Sequence, residues 1–208
     1  GIGAAAHLAF TLYVMSSWLH HTHYAIQHAN PAWFIPVVGN ILVPIAGVRF
    51  APVDVSWFFF AIGLVMWGVL MTVVLYRLFF HEPLQTRLAP TQFILIAPPA
   101  VGFLSWVALI GEVDAMARIL YFFALFLTLL LASNAVRFLR LPFFISAWAY
   151  SFPLAAITIA TFEMHARSGQ PFYGALALLL LAVLTVVLAV LVTKTALAAR
   201  RGLICVPE

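Results

Sequence analysis

Seven apolar stretches run along the chain, and most charged residues lie in the short segments between them. The stretch 88–111, for example, contains no Asp, Glu, Lys or Arg between Arg87 and Glu112. A helix needs about 20 apolar residues to cross the hydrocarbon core of a bilayer. The pattern therefore predicts seven membrane spans, at residues 1–19, 32–48, 54–76, 88–111, 119–136, 141–162 and 171–193.

Prolines divide these spans into two alternating kinds. The second, fourth and sixth spans carry Pro36 and Pro44, Pro98 and Pro99, and Pro153, whereas the third, fifth and seventh carry no internal proline. Proline removes a backbone donor and clashes with the preceding turn, so a membrane helix tolerates it only where neighbouring groups satisfy the freed carbonyl. We therefore expect the kinked spans inside a bundle and the straight spans outside, facing lipid.

The kinked spans also repeat a short pattern. Three of their prolines are each followed three positions later by a small residue, in the pairs Pro36 and Gly39, Pro99 and Gly102, and Pro153 and Ala156. A small residue one turn after a kink lets another backbone or a permeating solute approach closely. The recurrence predicts an all-α polytopic membrane protein with one transmembrane domain over 1–208. Its helical hairpins would place kinked inner helices around a central pore and straight helices outside.

The composition supports a membrane protein and excludes other classes. Hydrophobic residues make up 65% of the chain, charged residues make up 8%, and the mean hydropathy is +1.12, which is too apolar for a soluble domain. The net charge is +4, but the basic residues are scattered and form no patch for a nucleic acid. The sequence has no nucleophile beside a base, no phosphate-binding loop and no paired carboxylates, so we expect neither an enzyme nor a cofactor.

The distribution of basic residues predicts the orientation. Arg77, Arg87, Arg137, Arg140, Lys194, Arg200 and Arg201 follow the odd-numbered spans, whereas Arg49, Arg118 and Arg167 lie on the opposite side. By the positive-inside rule the C-terminus, with the single Cys205, is cytoplasmic. Because the chain begins at Gly1 without an initiator Met or a signal-peptide pattern, we expect it to be part of a longer protein.

Three long segments resemble one family of transport proteins. They are HANPAWFIPVVGNILVPIAG (28–47), LAPTQFILIAPPAVGFLSWVAL (88–109) and SAWAYSFPLAAITIAT (146–161). They are similar to the tellurite-resistance and dicarboxylate transporter (TehA-like) family, which includes the slow-type anion channels of plant guard cells. The resemblance implies a homotrimer in a bacterial inner membrane, with ten helices per protomer in five hairpins and the odd-numbered helices lining a pore. It also implies that the seven spans are the fourth to tenth helices of that fold.

The inner spans offer only mild polar groups to a permeating solute. Between their flanking charges they contain no Asp, Glu, Lys, Arg or His, which weakens the case for proton or sodium coupling. The candidate lining and kink residues are Pro36, Gly39, Asn40, Pro44, Pro98, Pro99, Gly102, Ser105, Ser151, Pro153 and Thr158. Neutral donors of this kind suit a small anion, which must be able to leave the pore again. The alternative is that the hydroxyls bond back to their own helix.

Phe152 is the candidate gate. It directly precedes Pro153, and proline pushes its predecessor away from ideal helical geometry, so the ring can be aimed at the axis. In the resembling family a phenylalanine in this setting plugs the pore, and Phe152 matches that position. Other phenylalanines are expected to face lipid or a neighbouring protomer from the outer spans, namely Phe58, Phe59, Phe60, Phe122, Phe123 and Phe126.

A group of histidines supports a rival interpretation. His20, His21, His23 and His28 lie close together in the sequence, so a metal or haem site is conceivable. No Cys or carboxylate lies within that window, and we favour histidines that contact headgroups and water. His7, in the first span, is expected to be a hydrogen-bonded residue of helix packing.

Three classes of function remain open. We favour an anion channel, or channel-like transporter, that passes small anions through a Phe-gated pore within each protomer. The alternative is a secondary carrier that exports a dicarboxylate, sulfite or tellurite, although such a carrier is expected to hold a fixed Arg or Lys in its pore and the inner spans contain none. The third class is a membrane subunit that anchors haem or a metal through the histidines.

Overall fold

The computed structural model describes residues 1–202, which fold mainly into seven apolar helices, with no β-strand in that part of the chain. The helices are α1 (Ile2–His20), α2 (Pro31–Gly47), α3 (Val53–Phe80), α4 (Thr86–Ile110), α5 (Ala115–Ser133), α6 (Ile145–Ser168) and α7 (Pro171–Arg200). All except the shorter α2 are long and apolar enough to cross a membrane. The predicted all-α polytopic membrane fold is confirmed, and each predicted span overlaps one helix. Cys205 lies outside the described residues.

α4 changes its geometry at its central prolines. It begins as a 3-10 helix over Thr86–Ile96 and continues as an α-helix over Ala97–Ile110. Pro98 and Pro99 therefore lie in the first turn of the α-helical segment, where a missing N–H costs least. The sequence predicts a kink within a continuous helix, and the structure has a change of helix type instead.

α2 and α6 change type in the same way. α6 is a 3-10 helix over Ile145–Tyr150 and an α-helix over Ser151–Ser168, with Pro153 in the first α-helical turn. α2 alternates between 3-10 and α-helical geometry through the segments Pro31–Trp33, Phe34–Val38, Gly39–Leu42 and Val43–Gly47. All three helices that carry central prolines are thus irregular, as the prolines predict.

The helices without an internal proline, α3, α5 and α7, are uninterrupted α-helices. α5 begins after Asp114, whose carboxylate accepts a hydrogen bond from the backbone N–H of Ala117 at 2.9 Å. The preceding α4 ends at Gly111 and α6 ends at Gly169, with φ angles of 89° and 67° that favour glycine. These ends turn the chain back, so α4 pairs with α5 and α6 with α7 as two hairpins.

α4 and α6 are the most buried of the long helices. In the most apolar part of each helix, 67% of the residues of α4 and 44% of those of α6 are buried, against 39% for α5, 33% for α3 and 22% for α7. α4 packs against α3, α5 and α6, whereas α7 packs mainly against α6. This order agrees with the predicted inner position of the kinked helices.

The phenylalanines of the outer helices divide between surface and core. Phe58, Phe122 and Phe126 are exposed, whereas Phe59 and Phe60 are buried. The prediction that Phe59 and Phe60 face lipid is wrong, because one face of α3 packs on α2 and α4. The sequence of α3 does not reveal this face, since apolar residues surround the helix on all sides.

Two glycines let α2 pack closely on its neighbours. A Cβ atom at Gly63 of α3 would lie 2.6 Å from the backbone nitrogen of Ile41 in α2. A Cβ atom at Gly39 of α2 would lie 2.7 Å from the ring of His7 in α1. Neither position has room for a larger residue without movement, so α2 is held tightly between α1 and α3.

Candidate functional site

A cavity of about 1170 Å³ lies between the kinked helices. α2, α4 and α6 supply most of its lining, and α1 and the first turns of α3 supply the remainder. No described residue of α5 or α7 lines it. The helices that the prolines mark as inner therefore supply most of the cavity wall, and the N-terminal half of α1 adds Gly3, Ala4, Ala5, His7 and Leu8 to it.

The cavity wall is almost entirely apolar. Apart from the indole of Trp148, its polar side chains are those of His7, Ser56, Thr91 and Ser146, and none of the described residues that line it is Asp, Glu, Lys or Arg. His7 packs between α1 and α2, but its Nε2 is buried without the expected hydrogen bond, and Ser56 Oγ is buried in the same way. A solute in this cavity meets aliphatic groups, rings and a few hydroxyls, and it meets no fixed charge from these residues.

Four of the predicted lining or kink residues lie in this wall: Gly39, Pro98, Phe152 and Pro153. The other eight lie outside the lining, namely Pro36, Asn40, Pro44, Pro99, Gly102, Ser105, Ser151 and Thr158. Six of these eight are buried between helices, and Pro36 and Ser151 are half-buried. Their contribution is to helix packing, behind the surface that a solute would touch.

The predicted hydroxyls donate to backbone carbonyls. Thr158 Oγ1 donates to the carbonyl four residues earlier at 2.6 Å, and Ser151 Oγ donates to the carbonyl three residues earlier at 2.7 Å. Ser105 Oγ of α4 donates to the carbonyl of Ile41 and so joins α4 to α2. A hydroxyl has a single proton, so in this arrangement none of the three donates to a solute.

Asn40 is the polar centre of α2. It is fully buried, and its Nδ2 donates to Thr11 Oγ1 at 2.8 Å and to the carbonyl of Val37 at 2.7 Å. The single hydroxyl proton of Thr11 is shared between the carbonyls of Pro36, at 2.8 Å, and His7, at 2.9 Å. The pair satisfies carbonyls that the break in α2 leaves free. Sequence reasoning missed Thr11, although its spacing of four from His7 puts two polar groups on one face of α1.

Phe152 combines a lining position with an exposed ring. It is 51% exposed and lies in the cavity wall at the second residue of the α-helical segment of α6. α6 changes from a 3-10 helix to an α-helix at Ser151, the residue before Phe152. A ring with half its surface free can adopt another rotamer without repacking the core.

The histidine group does not converge on a metal site. The rings of His20 and His28 bond to nearby backbone groups, at 2.8 Å and 3.1 Å, and the rings of His21 and His23 meet edge to face. Within residues 1–202, no three His, Cys, Asp or Glu side chains are arranged to hold a metal ion. The structure lends no support to the interpretation as a haem or metal anchor.

The fold and the cavity define an integral membrane protein whose broken helices surround an apolar, uncharged cavity, the arrangement of a channel or transporter. The chain belongs to the voltage-dependent anion channel (SLAC1) family, whose family model matches residues 1–196. The resemblance to the slow-type anion channels that the sequence motifs indicate is thereby confirmed.

Several curated relatives are similar to most of the chain. The S-type anion channel SLAH2 of Arabidopsis thaliana is 34% identical over 135 residues, which are 65% of this chain and 26% of the relative. The guard cell S-type anion channel SLAC1 of the same plant is 31% identical over 170 residues, or 81% of this chain and 30% of the relative. The uncharacterized transporter MJ0576 of Methanocaldococcus jannaschii is 28% identical over 177 residues, or 74% of this chain and 51% of the relative. The chain thus spans about half or less of the length of these relatives.

Proposed function

We propose that the protein is an anion channel, or a channel-like transporter, that passes small anions through the cavity between α2, α4 and α6. The observation that carries this proposal is the lining itself: three broken helices surround a space in which the described side chains bring no carboxylate and no fixed cation. A cation pathway in a membrane normally uses intramembrane acidic groups, and a carrier of dianions is expected to use a fixed Arg or Lys. The family membership supports the same function.

The sparse polarity of the lining also sets the expected selectivity. Hydroxyls and aromatic edges replace little of an anion's hydration shell, so the cost of dehydration decides which anion enters. Large, weakly hydrated anions such as nitrate and iodide should therefore be more permeant than chloride, and cations should be excluded. Weak binding also lets the ion leave again, as conduction requires.

Reversal potentials of the reconstituted protein under bi-ionic conditions test this proposal. We expect nitrate and iodide to be more permeant than chloride, and potassium to be nearly impermeant. A preference for potassium over chloride would contradict the anion pathway. Flux that saturates and is stimulated by anion on the opposite side of the membrane would favour the secondary carrier of dicarboxylate, sulfite or tellurite over the channel.

Three further features belong to the same proposal. The ring of Phe152 is the gate, because Phe152 is a large, exposed residue of the cavity wall close to the point where α6 changes from a 3-10 helix to an α-helix. The protein is a homotrimer in which each protomer keeps its own pore, since the broken helices gather inside the protomer. It lies in a bacterial inner membrane with a cytoplasmic C-terminus, which is the orientation that the basic residues favour.

A further inference from the structure

Arg77 is a buried cation at the point where two cavity-lining helices begin. It lies near the C-terminal end of α3 and is only 5% exposed. Its Nε donates to the carbonyl of Gln27 at 3.5 Å, and its Nη1 donates to the carbonyl of Glu82. Gln27 lies in the segment that leads into α2, and Glu82 lies in the segment that leads into α4. The guanidinium therefore connects the two segments that precede α2 and α4.

The charge of Arg77 has no acidic partner among the described residues. The ion pair found there joins Glu163 to Arg167, near the C-terminal end of α6, and Arg77 takes no part in it. Glu82 offers Arg77 its backbone carbonyl, and its side chain is exposed to solvent. Arg77 Nη2 has no hydrogen-bond partner in residues 1–202.

Two neutral features of the fold stabilise this cation. The C-terminal end of α3 presents the negative end of its helix dipole, and the two carbonyls accept charge-assisted hydrogen bonds. Neither feature cancels a full unit charge. The exposed carboxylate of Glu82 is surrounded by water, whose high dielectric constant weakens its field, whereas the field of a buried guanidinium is weakened much less. A positive potential remains at the start of α2 and α4.

We propose that Arg77 is a fixed positive charge at the entrance of the pathway and raises the local concentration of small inorganic anions such as chloride and nitrate. The proposal rests on the proposed anion conduction and adds Arg77 as the residue that attracts the anion to the pathway. The cavity wall beyond the entrance carries no cation from the described residues, so an attractive charge at the mouth can concentrate anions without trapping them inside. By the positive-inside rule this mouth is the cytoplasmic one.

The dependence of conductance on salt concentration tests the role of Arg77. In phosphatidylcholine bilayers, Arg77→Gln should reduce anion conductance about two- to tenfold at about 10 mM salt, where the Debye length is about 30 Å, and should have little effect at about 1 M, where it is about 3 Å. Arg77→Lys keeps the charge and should stay near the wild type at both concentrations. The matched control is Arg137→Gln, which removes a fully exposed arginine on the same predicted side.

The outcomes separate this inference from the function on which it rests. An Arg77→Gln defect of equal size at low and high salt would mean that Arg77 only holds the loops together, and it would overturn the inference while leaving anion conduction intact. If Arg77→Gln does not fold, the salt dependence of the wild-type conductance can still overturn the inference. Its conductance should fall less than in proportion as salt is lowered from about 1 M to about 10 mM, and a proportional fall would overturn the inference. A wild-type protein without anion flux would remove the proposed function and this inference together.

Discussion

At the residue scale, the consequences of the proposed gate are sharpest at Phe152. Replacing its ring with alanine removes the large group that faces the cavity, so Phe152→Ala should increase anion conductance strongly without the natural stimulus, and Phe152→Leu should do so less. Because the ring is 51% exposed, its loss should leave the folded yield nearly unchanged. Truncation of a buried phenylalanine would instead cost about 3–5 kcal/mol of stability. Liposome flux or bilayer recordings measure the conductance.

Phe126→Ala is the matched control for the gate. Phe126 is 55% exposed, a fraction close to that of Phe152, but it lies on α5, which contributes no described residue to the cavity wall. Its replacement should leave conductance unchanged. Phe59 is unsuitable as a lipid-facing control, since it is buried and lines the cavity. A well-folded Phe152→Ala protein with wild-type conductance would eliminate the gate and direct attention to Pro153.

At the scale of the helices, the packing of α3 on α2 depends on Gly63. Gly63→Ala should destabilise the protein by about 1–3 kcal/mol, because the new methyl group would overlap the backbone of Ile41. Gly68→Ala in the same helix is the control, since no atom lies within 4 Å of its Cβ position. That substitution should be neutral or slightly stabilising, as alanine is the better helix former. Thermal unfolding in detergent measures both, and equal stabilities would refute the close packing.

The sequence determines where the helices break but not how. The prolines identify α2, α4 and α6 as irregular, because a proline has no backbone N–H and cannot donate a helical hydrogen bond in any environment. They do not reveal the 3-10 segment Thr86–Ile96, because a nearly uniform apolar sequence carries no periodicity that distinguishes three residues per turn from 3.6. Because of the same uniformity, the sequence does not show which face of α3 is buried. For this reason it wrongly predicts that Phe59 and Phe60, which are buried, face lipid.

The site is predictable to a similar degree. Motif and position predict Phe152 as a gate and Pro153 as a kink; both residues lie in the cavity wall, and their roles in conduction stay predictions. The sequence does not reveal that Asn40, Ser105 and Thr158 lie outside the cavity lining, because neighbouring side chains on a helix point about 100° apart. It also does not reveal their hydrogen-bond partners, which belong to another helix or to the backbone of their own helix.

At the scale of the whole molecule, we propose that the homotrimer implied by the family resemblance assembles through the outer surfaces of each protomer. α5 and α7 present exposed apolar faces that take no part in the cavity, with Phe122, Phe126, Leu178, Leu179 and Val186 among their exposed residues. We expect these faces to meet lipid and neighbouring protomers. Native mass spectrometry in a mild detergent should find three copies. Monomers alone, or a single conduction path shared by all copies, would speak against this assembly.

The mixed geometry of α2 has a consequence for its reach. As a regular α-helix its 17 residues would extend about 25 Å, less than the roughly 30 Å thickness of the hydrocarbon core of a bilayer. A 3-10 helix rises about 2.0 Å per residue instead of 1.5 Å, so the segments Pro31–Trp33 and Gly39–Leu42 lengthen α2 to about 29 Å. The breaks that open a cavity beside α2 thus also stretch a short helix to match the thickness of the membrane.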